Sequence, residues 1–243
     1  SHQLEAVESA RAGTDTVVVT PTASGKTLAY NLPVLQSILD DPASRSIYIF
    51  PTKALAQDQY HEFRSLADAS GVQAATHTFD GDTPGDARRA VKERGAVIMT
   101  NPDMLHSGIL PHHPAWAKLF SNLKFVVIDE VHTYRGVFGS HMANVIRRLR
   151  RVARFHGADP CFICCSATIR NPAELTRSLI GRPVHLVDKP GSPSGKKHLV
   201  FYNPPVVNSE LGIRASYLQK ARELTLDLLE HHSVIVFALS RLN

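Results

Sequence analysis

The sequence is poor in the features that mark disulfide-rich, membrane-spanning or disordered proteins. It has three cysteines among 243 residues, and no apolar run approaches the ~20 residues of a membrane-spanning helix. Its amino terminus lacks the basic and then apolar segments of a signal peptide. Charged residues make up 20% of the chain and hydrophobic residues 43%, so a large core can be buried. These features predict a soluble, globular, cytoplasmic protein with no membrane partner.

The three cysteines lie close together, in the segment Cys161-Phe-Ile-Cys164-Cys165. Cys161 and Cys164 have the spacing of half a zinc site, but no second pair of Cys or His stands at metal-ligand spacing. Their apolar neighbours favour reduced thiols in a buried strand over a zinc site.

Short runs rich in Val, Ile, Phe and Thr alternate with amphipathic stretches, a pattern typical of a parallel sheet covered by helices on both faces. The runs predict strands at residues 16–20, 46–50, 74–79, 96–100, 125–129, 160–166 and 184–187. Two prolines and two glycines in residues 188–197 then indicate a linker. We therefore predict a first domain at residues 1–188 and a linker at residues 189–197.

Beyond the linker, the pattern predicts strands at residues 198–202 and 234–239 and a helix at residues 213–230. These elements make about one βαβ unit, which cannot bury both of its faces alone. Residues 198–243 are therefore predicted to begin a second, incomplete α/β domain. The first residue is not Met, and we expect both ends to be cuts through a longer protein.

A short loop joins the first predicted strand to a helical pattern that starts at Leu28. A loop that wraps phosphates needs inward backbone N–H groups, a glycine where a side chain would collide, and a helix amino terminus facing the anion. Here Lys26 is expected to reach the β- and γ-phosphates of ATP, and Thr27 to complete a Mg²⁺ shell. Thr20 stands where the general pattern has its first glycine. The predicted ATP-binding residues of the loop are Thr22, Ala23, Ser24, Gly25, Lys26 and Thr27.

An acidic pair, Asp129 and Glu130, ends the strand predicted at residues 125–129. Carboxylates at the carboxyl end of a parallel strand face the ligand crevice of an open α/β sheet. We expect Asp129 to hold Mg²⁺ through its water shell, and Glu130 to orient and deprotonate the attacking water. The candidate catalytic residues are Glu130, Lys26 and Asp129.

The segment Asp129-Glu130-Val131-His132 resembles the second motif of the DExH-box superfamily-two helicases, and other motifs of that family stand around it in order. Gln3 resembles the Q-motif glutamine that reads adenine. Residues 51–59 match motif Ia and residues 100–105 match motif Ib, both of which grip the sugar-phosphate backbone in the family. Residues 166–168 match motif III, which couples the nucleotide site to the strand, and residues 236–241 resemble motif IV.

The resemblance implies a role for individual side chains at these motifs. It assigns coupling to His132, Ser166 and Thr168. The nucleic-acid contacts that it implies are Pro51, Thr52, Lys53, Thr100, Pro102 and Asp103.

The resemblance also implies a P-loop NTPase fold, with a RecA-like lobe at residues 1–188 and the start of a second at residues 198–243. Residues 79–84 and 129–141 look like those of the bacterial mitomycin-repair helicases and their fungal RecQ-four-like relatives. This implies an ATP- and Mg²⁺-dependent 3′-to-5′ translocase that acts on single-stranded DNA in repair. The family's arginine finger belongs to a motif beyond Asn243, so this chain alone is expected to bind Mg-ATP and hydrolyse it poorly.

Two other functions stay open on the sequence: a nucleotide-gated clamp that holds nucleic acid without unwinding it, and an RNA helicase. The surplus of 27 Lys and Arg over 22 Asp and Glu permits a polyanionic partner without demonstrating one. A helix cap at Thr52 and a turn at Asn101 are alternatives to strand contact. For the arginines of residues 142–155, a solvated helix face is favoured over nucleic-acid binding.

Overall fold

The alternating pattern of the first 188 residues folds into a seven-stranded parallel sheet with helices on both faces. The computed structural model describes residues 1–21, 24–189, 191, 196 and 198–237. The chain divides into two units, residues 1–193 and 194–243, which are described separately. The strands of the first unit are β1 (Thr16–Val19), β2 (Arg45–Ile49), β3 (Thr76–Thr78), β4 (Val97–Thr100), β5 (Leu123–Ile128), β6 (Cys161–Ser166) and β7 (His185–Val187).

The strand order is β3-β4-β2-β5-β6-β1-β7, and every pairing is parallel. The predicted fold class and its seven strands are thereby confirmed. The predicted bounds differ most at residues 125–129 and 74–79. Strand β5 starts earlier than predicted, at Leu123, and β3 is only three residues long because the Ala74 N–H turns back to the Val72 carbonyl instead of pairing with a strand.

Helices cover both faces of this sheet. They are α1 (His2–Arg11), α2 (Lys26–Asp40), α3 (Lys53–Ala69), α4 (Gly85–Arg94), α5 (Pro102–Met104), α6 (Ala117–Ser121), α7 (Gly136–Phe155) and α8 (Pro172–Ile180). A π-turn at Leu105–Ile109 and 3₁₀ turns at Leu110–Trp116 and Val131–Thr133 connect them. None of the helices in the described ranges is both long and apolar enough to cross a membrane.

Strand side chains alternate between two hydrophobic cores, one on each face of the sheet. Val126 and Ile128 of β5 enter the core that also contains Trp116, while Val127 enters the core that contains Tyr48. Because both faces are covered, the strands read as continuous apolar runs, as parallel strands usually do. The sheet is therefore packed on both faces between the edges that carry the loops.

Helix α7 carries the arginine-rich stretch and begins at Gly136, earlier than the predicted start at residue 142. One face of the helix packs on the core, since Val145 and Leu149 are buried and Val152 is half-buried against it. Arg150 donates to the Ile180 carbonyl at 2.9 Å, at the end of α8. At least one arginine of this run therefore fixes the packing of two helices.

The cysteine prediction is confirmed, because Cys161, Cys164 and Cys165 are free and buried in β6. Burial raises the pKa of the Cys161 thiol to about 12 and raises the pKa values of the other two thiols well above their usual range. Across the described part of the chain, no group of three or more His, Cys, Asp or Glu side chains is placed to hold a metal ion.

A charged cluster ties together the amino ends of the strands. Asp15, just before β1, accepts from the Phe162 N–H at 2.8 Å and from Arg182 at 3.4 Å. Arg182 also pairs with Asp159 and donates to the Pro160 carbonyl at 3.1 Å. The cluster thus joins the starts of β1 and β6 to the turn that follows α8.

The second unit corrects the predicted βαβ pattern. It contains an antiparallel pair, β8 (Val206–Asn208) and β9 (Ile213–Arg214), followed by helix α9 (Tyr217–Leu229). Residues 198–202 and 234–237 form no strand, and residues 238–239 lie outside the described residues. The helix predicted from residue 213 starts at Tyr217 because residues 213–214 pair with β8. A parallel strand needs partners brought by long crossovers, whereas an antiparallel pair closes through a local turn.

Candidate nucleotide and nucleic-acid site

The predicted site residues gather at one edge of the sheet. Because all seven strands run parallel, their carboxyl ends meet at a single side, which we call the carboxyl edge. Strands β4 and β2 precede the predicted nucleic-acid-binding motifs, and β5, β6 and β1 precede the predicted nucleotide motifs. The strand order places these two groups side by side. The Asp129 N–H donates to the Ile49 carbonyl at 3.1 Å, so the two halves meet where β5 adjoins β2.

The phosphate-binding loop leads from β1 into α2, which begins at Lys26 rather than at Leu28 as predicted. Gly25 caps the helix with φ +76° and ψ 33°, a left-handed conformation that glycine adopts without strain. A Cβ at this position would also lie 2.5 Å from the Gln3 Nε2 atom. Thr22 and Ala23 lie outside the described residues. The backbone conformation therefore requires glycine at position 25, and a larger residue would also displace the flexible Gln3 side chain.

Two side chains brace this loop from within. The Thr20 hydroxyl, fully buried, lies 2.5 Å from the Ser24 hydroxyl, so the residue that replaces the usual glycine joins the two ends of the loop. The Lys26 ammonium donates to the Thr20 carbonyl at 2.8 Å and to the Pro21 carbonyl at 3.4 Å. To contact a phosphate, Lys26 would exchange these carbonyls for the anion.

Helix α1 holds the same loop from outside. The Gln3 amide donates to the Gly25 carbonyl at 3.0 Å, and His2 Nε2 lies 3.0 Å from the Ser24 carbonyl. His2 was not among the predicted site residues, whereas Gln3 was predicted to contact adenine. An adenine contact by Gln3 stays a prediction.

Asp129 is a half-buried carboxylate whose charge is only partly compensated. Its Oδ1 accepts from the Glu130 N–H at 2.8 Å, and its Oδ2 lies 3.3 Å from the Tyr30 hydroxyl. Burial, together with the negative charge of Glu130, raises the pKa of Asp129 to about 6, against the opposing effects of these hydrogen bonds and Lys26. A nearby cation would relieve this cost, so the position suits a metal-binding carboxylate.

Tyr30 was missed by the sequence analysis, although it lies one turn after Lys26 on α2. Its hydroxyl is 2.7 Å from Gln59 Oε1 on α3 and 3.3 Å from Asp129. Burial and then the charge of Asp129 raise the pKa of Tyr30 well above its usual value, opposed by a hydrogen bond with Thr27. Tyr30 thus contacts the predicted Mg²⁺ ligand Asp129 and the helix of motif Ia.

Glu130 has φ +52° and ψ 42°, and it alone has a positive φ among the non-glycine residues that the structure describes. Such a conformation costs on the order of 1–3 kcal/mol, and strain of this kind concentrates at functional sites. The strained turn presents the Glu130 carboxylate to His132, whose Nδ1 lies 3.1 Å away.

His132 joins motif II to motif III. Its Nδ1 lies 3.2 Å from the Ala167 N–H, which can only donate, and 3.1 Å from Glu130 Oε2, which can only accept while ionised. A ring protonated at Nδ1 binds Glu130, and a ring with a free Nδ1 lone pair binds Ala167. The two contacts therefore exclude each other. Ser166 donates to the Ala167 carbonyl at 2.9 Å, while Thr168 is exposed.

The motif Ia residues lie at the end of β2 and the start of α3. Thr52 caps α3 by accepting from the Leu55 N–H at 3.3 Å, so the capping alternative is confirmed. The exposed Lys53 pairs with Asp82 at 2.6 Å, an interaction that raises the pKa of Lys53. Pro51 is half-buried beside them.

The predicted contact residues of motif Ib differ from one another in solvent exposure. Thr100 is buried, and its hydroxyl donates to the Phe79 carbonyl at 2.7 Å. Asn101 caps α5 by accepting from the Met104 N–H at 2.9 Å, which fits the turn alternative. Pro102 is buried, and Asp103 is exposed. A strand contact through the Thr100 hydroxyl would require its hydrogen bond to Phe79 to break.

Comparison with known proteins agrees with this arrangement. The family model "DEAD/DEAH box helicase" matches residues 1–175. The "Uncharacterized ATP-dependent helicase YprA" of Bacillus subtilis is 57% identical over 242 residues, which cover 99% of this chain and 32% of that protein. The "ATP-dependent helicase HRQ1" of Saccharomyces cerevisiae is 40% identical over 234 residues, covering 94% of this chain and 22% of HRQ1.

Among solved structures, the helicase MrfA bound to DNA and AMPPNP superimposes with a TM-score of 0.96 at 56% identity, over 100% of this chain and 34% of that one. The chain thus spans about a third or less of the relatives that it matches. These relatives confirm the resemblance that the motifs predicted, and the fold is of the helicase ATPase type. The chain belongs to the DEAD/DEAH box helicase family.

Proposed function

We propose that this chain is the nucleotide-binding part of an ATP-driven motor that moves 3′ to 5′ along single-stranded DNA and separates duplexes in repair. The observation that carries the proposal is the meeting of Lys26, Asp129 and Glu130 at the carboxyl edge, beside the motif Ia helix. Tyr30 supports it because its hydroxyl lies within 3.3 Å of both Asp129 and Gln59.

The donor set fits Mg-ATP. Thr27 and Asp129 offer the oxygen atoms that Mg²⁺ prefers, and the raised pKa of Asp129 indicates a carboxylate that a cation would stabilise. Mg²⁺ would neutralise charge on the phosphates during transfer. In this proposal Ser24, Gly25 and the undescribed Thr22 and Ala23 surround the phosphates, and Gln3 contacts the adenine. Lys26 leaves the Thr20 carbonyl to bind the β- and γ-phosphates.

Glu130 supplies the base in the proposed reaction. It orients a water molecule toward the γ-phosphorus, takes a proton from that water as the new P–O bond forms, and ADP leaves with the electrons of the broken P–O bond. His132 releases or holds Glu130 depending on whether its Nδ1 binds Ala167. This exchange would report the state of the base to motif III through Ser166 and Thr168.

Nucleic acid would lie across the ends of β2 and β4. Lys53 is an exposed cation there, and the backbone N–H groups of Thr52, Lys53 and Asp103 lie at two helix starts. MrfA is 56% identical to this chain over the 34% of MrfA that the chain covers, and its crystal structure contains both DNA and AMPPNP. The motif residues themselves do not distinguish DNA from RNA. The DNA bound to MrfA is therefore what favours DNA as the partner.

In the proposed cycle residues 1–188 are the first RecA-like lobe, residues 189–197 the linker and residues 198–243 the start of the second lobe. ATP binding would close the lobes on the strand, and hydrolysis would reopen them. The unit boundary between residues 193 and 194 lies inside the proposed linker, which is compatible with this division.

A strand-separation assay on the full-length protein tests the proposal. Duplexes with a 3′ or a 5′ single-stranded tail, made of DNA or of RNA, are incubated with Mg-ATP. The motor predicts separation of the 3′-tailed DNA duplex, lost in Lys26→Ala. ATP-dependent binding without separation of any duplex would replace the motor by a nucleotide-gated clamp, and preferential separation of RNA would replace the DNA assignment.

A further inference from the structure

His2 is a buried histidine that the predicted nucleotide site does not use. It is 4% exposed and lies at the start of α1, whose residues Ala6 and Ala10 are buried in the core against β1. The ring is therefore carried on a helix that the core holds in place. Its two nitrogens face two different parts of the first unit.

The hydrogen bonds fix the protonation of the ring. The Gly191 N–H lies 3.1 Å from Nδ1 and can only donate, so Nδ1 carries a lone pair. The neutral ring then bears its proton on Nε2, which lies 3.0 Å from the Ser24 carbonyl and donates to it. Both nitrogens are used, one as acceptor and one as donor.

The two partners belong to functionally different segments. Ser24 is part of the phosphate-binding loop, and its hydroxyl is the one that joins Thr20. Gly191 belongs to the segment of residues 189–197 by which the chain leaves the first unit. His2 is therefore a direct connection, one side chain long, between the loop that would bind phosphate and the start of the predicted linker.

We propose that His2 is a positioning residue that couples the phosphate-binding loop to the linker. Its Nε2–H sets the position of the Ser24 carbonyl, and its Nδ1 anchors Gly191. A shift of the loop on nucleotide binding moves the ring and with it the anchor of the linker. This inference rests on the proposed ATP-driven motor, in which the linker leads to the second lobe.

Amide isosteres separate the two bonds. The amide of Asn reaches the position of Nδ1, so His2→Asn keeps an acceptor for the Gly191 N–H and loses the donor to Ser24. The amide of Gln reaches the position of Nε2, so His2→Gln keeps the donor to Ser24 and loses the acceptor. His2→Ala loses both, and His112→Gln makes a matched exchange at an exposed histidine.

The full-length variants are compared in two measurements: the Kd for the fluorescent analogue mant-ATP with Mg²⁺, and ATP turnover at saturating ATP with single-stranded DNA. We expect His2→Asn to weaken mant-ATP binding about three- to tenfold, the effect of one lost hydrogen bond, and to keep its DNA-stimulated kcat. We expect His2→Gln to bind mant-ATP within about twofold of wild type and to lose about three- to tenfold in DNA-stimulated kcat. His112→Gln should match wild type in both.

Equal effects of His2→Asn and His2→Gln on Kd and on kcat would overturn the coupling role, whether both variants match wild type or both are impaired alike. Parallel losses that follow a lowered Tm would assign His2 to folding alone, which also overturns it. If wild type shows no stimulation by DNA, the proposed motor fails. The Kd values then still decide whether His2 positions the loop, because equal affinities of the Asn and Gln variants contradict it.

Discussion

Asp15 and Asp129 are carboxylates at opposite ends of the strands of one sheet, and their surroundings differ. Asp15 is buried and Asp129 is half-buried. Asp15, at the amino ends, binds the Phe162 N–H and the guanidinium of Arg182, which itself binds Asp159 and a carbonyl. Asp129, at the carboxyl edge, shares the single proton of the Tyr30 hydroxyl with Gln59 and has no salt bridge among the described residues. Burial raises the pKa of both, and that of Asp129 reaches about 6.

The difference separates stability from function. At the amino ends, the charges are paired and hold strand starts and a turn together. At the carboxyl edge, hydrogen-bond partners are shared, His132 chooses between Glu130 and Ala167, and Glu130 is held at a positive φ. Groups that are left incompletely satisfied by the fold are available to a ligand. Substitutions at the two edges should therefore affect different measurements.

The largest effect is expected for Glu130→Gln at the carboxyl edge. Loss of a general base costs ~10²- to 10⁴-fold in rate. The DNA-stimulated kcat of the full-length protein should fall by about this factor, while the Kd for Mg-ATP stays within about threefold because Gln keeps the shape of the side chain. A kcat close to that of wild type would remove Glu130 from the chemistry.

Arg182→Ala at the amino ends should give the opposite result. It leaves the Asp15 carboxylate buried without its cation, and breaking such a pair costs ~3 kcal/mol. Urea denaturation should show this loss in the free energy of unfolding, and the Kd for Mg-ATP should not change. The exposed Arg177→Ala is the matched control and should alter neither. If Arg182→Ala weakens nucleotide affinity under conditions where it is folded, the amino ends of the strands do not act on stability alone.

Asp129→Asn should make the metal-free protein more stable than wild type, and this difference in the free energy of unfolding should grow as pH rises. The folded pKa of about 6 lies above the ordinary Asp value of 3.8, so the folded state binds more protons and the cost of ionising Asp129 develops between these values. The cost is fully present above about pH 6 and amounts to ~2–3 kcal/mol. The stability gain of Asp129→Asn, from urea denaturation in EDTA, should therefore grow from pH 5 to pH 7. A gain that does not change with pH would contradict a raised pKa for Asp129.

Thr52→Ala should have the smallest effect, because it tests a residue with two possible roles. Loss of the α3 cap costs ~1 kcal/mol of stability. Thr52→Ser keeps the capping hydroxyl and should restore that stability. If Thr52 also contacts the strand through its hydroxyl, Ser should restore single-stranded DNA affinity as well. An affinity for DNA that neither substitution alters would leave Thr52 a cap alone.

The parallel sheet could be predicted from the sequence because its strands are short apolar runs buried on both faces. The ends of those runs also located Asp129, Gly25 and Lys26. The second unit was predicted wrongly at residues 198–202, since an apolar run forms a strand only where a neighbour pairs with it. Parallel neighbours depend on distant segments that periodicity does not reveal.

Within the site, the missed residues act through contacts between distant positions. Tyr30 lies 29 positions from Gln59 and His2 lies 22 from Ser24, and neither belongs to a motif. The sequence also did not reveal that Thr100 uses its hydroxyl inside the fold, because a buried and an exposed Thr look the same in a short motif. Strain at Glu130 likewise depends on the turn that surrounds it.

The most direct test of the account is a titration of mant-ATP with Mg²⁺ into full-length wild type, Lys26→Ala and Arg182→Ala under conditions where all three are folded. Lys26 would make a charge-assisted bond to phosphate, and losing such a bond weakens binding ~10- to 100-fold. The account predicts a Kd raised by about that factor in Lys26→Ala and unchanged in Arg182→Ala. A Lys26→Ala protein that binds as tightly as wild type would contradict the placement of the nucleotide at the carboxyl edge.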